Sequence, residues 1–126
     1  MLSGRELPLP KGYSFADQEG IRRANIRICW WLPSVGRSYQ DLVFPFTEEI
    51  PTLPVSARQV AALPGYAADE VPVFIGHYWL PPDHPKSPVA SNVACLDYSV
   101  AGGGPLVAYR WHGPGSLRAE AFVTSE

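Results

Sequence analysis

Val71 to Pro81 reads VPVFIGHYWLP, a continuous apolar run that stops at Gly76 with a histidine at the next position. A short run of this kind, VPVFIG over 71–76, has the pattern of a strand buried on both faces. A glycine at the end of such a strand lets the backbone approach a ligand, and the rigid strand positions the ring that follows it. His77 therefore stands where metal sites and catalytic bases are often built. By spacing alone, a lone histidine after a strand is more often a hydrogen-bonded structural residue than a ligand.

Downstream, PPDHPKSP at 81–88 carries four prolines and must be a loop, because proline forbids both helix interior and central strand. NVACLDYSV at 92–100 and PLVAYRW at 105–111 read as two further strands, with AGGG between them able to take the positive φ of a hairpin. AEAFV at 119–123 would then finish an antiparallel meander. Upstream, NIRICWW from Asn25 alternates apolar and polar residues, a half-buried strand entered from the turn-like segment Asp17 to Gly20. Residues 34–55 carry Pro45, Pro51 and Pro54 among aromatics and read as an irregular packed excursion, and Ser56 caps a short helix that Pro64 and Gly65 end. The expectation is a mainly β, α+β fold of about five strands.

At 126 residues the chain has room for one domain, 1–126, and one modest core. A net charge of −2 offers no basic field for nucleic acid or anionic lipid, so neither is an expected partner. No apolar stretch approaches the roughly 18 residues of a membrane span, and the first residues lack the apolar core of a signal peptide, which makes the cytoplasm the expected address. Cys29 and Cys95 sit far apart in apolar runs, not in a C-x-x-C pair, and read as buried thiols; a disulfide stays open, and a redox protein using the two is a third class of function. His84 and His112 fit no zinc spacing and read as surface histidines.

PVFIGHYW at 72–79, NVACLDYSVAGGGPLVAYRW at 92–111, and then Leu117, Phe122 and Val123 resemble the calcineurin-like metallophosphoesterases. Within that family the likeness is to the bacterial serine/threonine protein phosphatases and diadenosine-tetraphosphatase-like hydrolases. LSGRELPLPKGYSFADQEGIRRANIRICWW at 2–31 looks like the stretch that precedes the Gly-His motif in the same proteins, so the likeness covers most of the chain and is looser over 34–65. The resemblance implies a β-sandwich flanked by helices, with His77 a ligand of a dinuclear metal centre. It also implies divalent manganese, iron, zinc or nickel as cofactor, and a phosphorylated substrate.

Two-metal phosphoester hydrolysis needs cations about 3.5–4 Å apart, held by carboxylates, an amide and histidines. The family draws most of those ligands from motifs of the form G-D-x-H-G, G-D-x-x-D-R-G and G-N-H-E, and none occurs here. Asp17, Asp41, Asp69, Asp83 and Asp97 lie in other contexts. The chain is therefore expected to be the strand-rich C-terminal half of a metallophosphoesterase domain, a partial sandwich inactive by itself and prone to self-association through exposed strand faces. The alternative is a stand-alone, non-catalytic β-domain that acts in binding.

Four other residues are candidates around that centre. Tyr78, with Trp79, stands where many relatives carry a further histidine; it could line a substrate pocket or pack in the core. Asp97 could fix the ring of His77 as carboxylates do behind metal ligands, or be satisfied by nearby backbone. Arg22 and Arg23 could meet phosphate oxygens, or form a solvated face.

Overall fold

The structure, a computed structural model, describes residues 2–3, 5–17 and 19–125. It is rich in short strands and poor in helix, as a mainly β, α+β fold should be. The chain divides into two compact units, one of Arg5–Tyr66 and the other of the first strand together with everything from Ala67 onward.

Strand β1 (Leu2–Ser3) belongs to the second unit; β2 (Arg5–Pro8) opens the first. In that first unit β2 pairs antiparallel with β5 (Asn25–Ile28), which sets Leu7 opposite Ile26. Ile26 and Ile28 alternate with the less buried Arg27, so one face of the ribbon is apolar, as the period of two requires. That face packs against Tyr39, Leu42, Val43, Ile50, Val55 and Leu63 to make the core. Strands β3 (Phe15–Ala16) and β4 (Arg22–Arg23) form a small hairpin beside it. Its turn is organised by Asp17, whose Oδ1 accepts from the N–H groups of Glu19 and Ile21, while Oδ2 takes the guanidinium of Arg23 at 2.9 Å. These bonds hold the Asp17 carboxyl below its usual range, the Arg23 hydrogen bond most of all.

The segment 34–55 is irregular as expected, apart from α1 (Tyr39–Leu42), a single turn closed by a reciprocal capping box between Ser38 and Asp41. The helix expected after Ser56 is α2 (Ala57–Ala62); the Ser56 side chain accepts from the Gln59 N–H, and the helix stops at Leu63, before Pro64.

In the second unit β6 (Val73–Gly76) is the middle strand of a three-stranded sheet ordered β1-β6-β7, parallel throughout, with β7 at Val93–Cys95. All three β7 residues are buried. Asn92, itself buried, anchors the entry to β7 by donating from Nδ2 to the carbonyls of Ala67 and Glu70.

The expected meander does not form: β7 pairs in parallel with β6, and not with the strand that follows it. The run 92–100 is strand only over Val93–Cys95; further on Ser99 takes φ 63° and residues Val100–Gly102 wind into a 3-10 turn. The AGGG segment therefore closes that turn instead of making a hairpin, with Gly103 at φ 95° as its cap. A Cβ on Gly104 would lie 2.1 Å from the Tyr98 carbonyl oxygen, so the tight return of the chain excludes a side chain there. The next strand, β8 (Val107–Tyr109), pairs antiparallel with β9 (Phe122–Thr124), and Ala119–Ala121, expected as strand, is a 3-10 turn leading into β9.

Candidate functional site: the carboxyl end of strand β6

The backbone turns sharply as it leaves β6. His77 and Trp79 take φ values of 66° and 54°, in the left-handed region that disfavours residues carrying a Cβ. Each such residue costs about 1–3 kcal/mol and persists only where its surroundings enforce it. Asp97, just past the end of β7, provides that enforcement: its Oδ2 accepts from the Trp79 N–H at 3.3 Å and its Oδ1 from the Ser99 N–H at 3.1 Å. The Asp97 carbonyl accepts from the Leu80 N–H at 3.0 Å, and the Ser99 hydroxyl donates to the Leu80 carbonyl at 2.8 Å. The segments following two adjacent parallel strands are thereby laced together.

The side chains separate accordingly. Tyr78 is 1% exposed and Leu80 fully buried, so both anchor the turn in the core. His77 faces solvent, and its ring has no hydrogen bond among the described residues. The imidazole thus stands exposed just past the carboxyl end of a parallel strand. It has lone-pair and proton chemistry available to a metal or a substrate oxygen.

Of the two roles weighed for Asp97, the structure places the carboxylate on backbone N–H groups and not on the ring of His77. Tyr78 packs in the core. Arg22 and Arg23 lie on β4 in the first unit, where each guanidinium already has partners. Arg22 reaches Glu49 at 3.4 Å and the Ser14 carbonyl and hydroxyl at 3.0 and 2.9 Å, and Arg23 pairs with Asp17. His84 is half-buried beside Tyr98, with the Lys86 ammonium 4.6 Å from the same Tyr98 ring; His112 is exposed in the loop between β8 and β9.

Both cysteines are free and buried, and burial pushes the Cys29 thiol up to about 12 and that of Cys95 up to about 11. At neutral pH both stay protonated, which removes the thiolate on which nucleophilic and exchange chemistry depends. Among the described residues no three His, Cys, Asp or Glu side chains come together in a way that could hold a metal ion. Nor is any helix among them long and apolar enough to cross a membrane.

Sequence reasoning placed His77 just past the strand but missed the left-handed turn that exposes its ring, since positive φ is uncommon for any residue carrying a Cβ and rarer still for a bulky one such as Trp79. It also passed over the loop 110–118, where Gly113, Pro114 and Gly115 between His112 and Arg118 were a legible turn signal. Comparison of the chain with protein-family profiles, with curated proteins and with solved structures finds no match.

Proposed function

We propose that this chain supplies the His77 end of a metal-dependent phosphoesterase centre, as the C-terminal portion of a metallophosphoesterase-type sandwich. The observation that carries this reading is the exposed imidazole of His77, without a hydrogen bond among the described residues. It is held on a left-handed turn at the carboxyl end of the middle strand of a parallel sheet. A protein that maintains backbone strain to present one ring has the arrangement expected of a ligand position. The resemblance of PVFIGHYW and NVACLDYSVAGGGPLVAYRW to that family's Gly-His strand and the strands after it points the same way. The substrate class is a phosphoprotein or a dinucleoside polyphosphate, and the metal is manganese, iron, zinc or nickel.

The residues of this chain fit that centre in part only. One imidazole binds a divalent cation weakly, and hydrolysis needs several ligands in fixed geometry. No catalytic step is therefore assigned to the chain by itself. Its role is to place one nitrogen ligand, with Asp97 holding the turn.

Titration of 15N-labelled protein with Mn2+ tests this reading. Paramagnetic broadening is expected to centre on residues 76–79 and to vanish in His77→Ala; broadening spread over the exposed carboxylates and unchanged by that substitution would sink it. The chain alone should not hydrolyse p-nitrophenyl phosphate with manganese, and a metal-dependent activity lost in His77→Ala would overturn the inactivity. A second reading, a binding domain that associates through its surface, is favoured by the exposure of Val71 and Leu106, at 71% and 62%, beside strands β6 and β8. Sedimentation that stays monomeric at high concentration would count against it.

A further inference from the structure

We infer that the loop between β8 and β9 forms an oxyanion-binding cradle that takes the phosphoryl group of a small phosphate ester. Its surface concavity, about 330 Å³, is lined by Tyr109, His112, Ser116, Leu117, Arg118 and the Gly113-Pro114-Gly115 turn. That volume falls within the range of small-molecule sites, roughly 300–1,000 Å³.

The loop is pinned at both ends and open in the middle. Arg110 N–H donates to the Ala121 carbonyl where the strands part, and Leu117 N–H donates to the Ser91 carbonyl where the loop returns. The Arg118 N–H donates to the Tyr109 hydroxyl at 2.9 Å, and Leu117 is buried. Between these anchors the backbone N–H groups of His112, Gly113, Gly115 and Ser116 have no hydrogen-bond partner among the described residues. Gly113 and Gly115 take φ values of 93° and 122°, and a Cβ at either would meet nothing within 4 Å. The glycines thus serve the shape of the backbone and not the avoidance of a clash. Pro114, which has no N–H, divides these N–H groups into two successive pairs, His112 with Gly113 and Gly115 with Ser116. Successive N–H groups in a turn of mixed handedness are the elements of an anion-binding nest.

The side chains have the same polarity. The Arg118 guanidinium makes no ion pair among the described residues and offers a fork matched to two phosphate oxygens. His112, Ser116 and Tyr109 each carry a group able to donate; the Tyr109 hydroxyl, accepting from Arg118 N–H, keeps its own hydrogen for a further partner. No carboxylate lines the concavity, although the chain as a whole is net acidic. A cavity with surplus donors, one permanent cation and no anion is complementary to an oxyanion. The site uses neither His77 nor a metal, so it stands independently of the phosphoesterase reading.

The test is a titration with inorganic phosphate and, in parallel, adenosine monophosphate, in excess EDTA and followed by 1H–15N spectra. Saturable shifts confined to residues 111–118 are expected, with a Kd of about 1 mM or tighter for the better ligand. Tighter binding of the nucleotide assigns the site to a phosphate ester; tighter binding of inorganic phosphate keeps the cradle but overturns its assignment to an ester. Arg118→Gln should weaken binding about tenfold and Arg118→Lys less, since the lysine keeps the charge and loses the fork. Arg118 is exposed, so both variants are expected to fold. Shifts scattered over the surface, no saturation by either ligand, or equal affinity in Arg118→Gln would overturn the cradle.

Discussion

Between Gly76 and Leu80 the chain places positive φ on His77 and Trp79, whereas between Trp111 and Leu117 the positive φ values fall on Gly113 and Gly115. The glycine loop can take its shape from local preference, because residues without a Cβ enter that region at little cost. The turn after β6 must be forced. Its enforcement comes from residues 97–99 on another segment, and from Tyr78 and Leu80 buried below it. Strain sustained by distant contacts depends on the tertiary structure around it, while strain avoided by glycine does not. One region displays a ring and the other displays N–H groups.

Substitution can break this contrast at its strongest point first. Tyr78→Ala removes a fully buried aromatic anchor and should cost about 3–5 kcal/mol in urea denaturation. A loss near 1 kcal/mol would mean that the turn is not held from below. Asp97→Ala leaves the N–H groups of Trp79 and Ser99 without their acceptor, with an expected loss of ~2–3 kcal/mol. Increased amide exchange at residues 77–80 should accompany it, and unchanged exchange there would remove Asp97 from its bracing role. The smallest effect is the most discriminating. His77→Gly should be neutral or stabilise by roughly 0.5 kcal/mol, since relief of left-handed strain slightly exceeds the added chain entropy. Gly113→Ala should destabilise by about 1 kcal/mol, because open space does not relieve the wrong φ. If both changes act in the same direction, the contrast between the two regions fails.

Much of the local architecture could be read directly. Ser56 with Pro64 bracketed α2 because the capping oxygen and the terminating ring act within a few residues of where they stand. The alternation at Ile26, Arg27 and Ile28 gave β5, and the glycine after Ile75 ended β6 where expected. The error lay in pairing. NVACLDYSV and PLVAYRW look like consecutive strands of a hairpin, and the three glycines between them make that reading natural. Yet β7 pairs in parallel with β6, and β8 pairs with β9. A strand's apolar pattern states that it must be buried, not against which neighbour.

The same division holds at the candidate site. Sequence by itself determined that a histidine follows a buried strand and a glycine and that prolines make 81–88 a loop, while it left Tyr78 open between pocket and core. These are local matters of side-chain volume, polarity and allowed dihedrals. Only the tertiary structure decided that His77 sits in a left-handed turn with its ring exposed and that Asp97 braces backbone and not imidazole. Hydrogen bonds between segments 18 or more residues apart set both. No local preference encodes contacts of that separation.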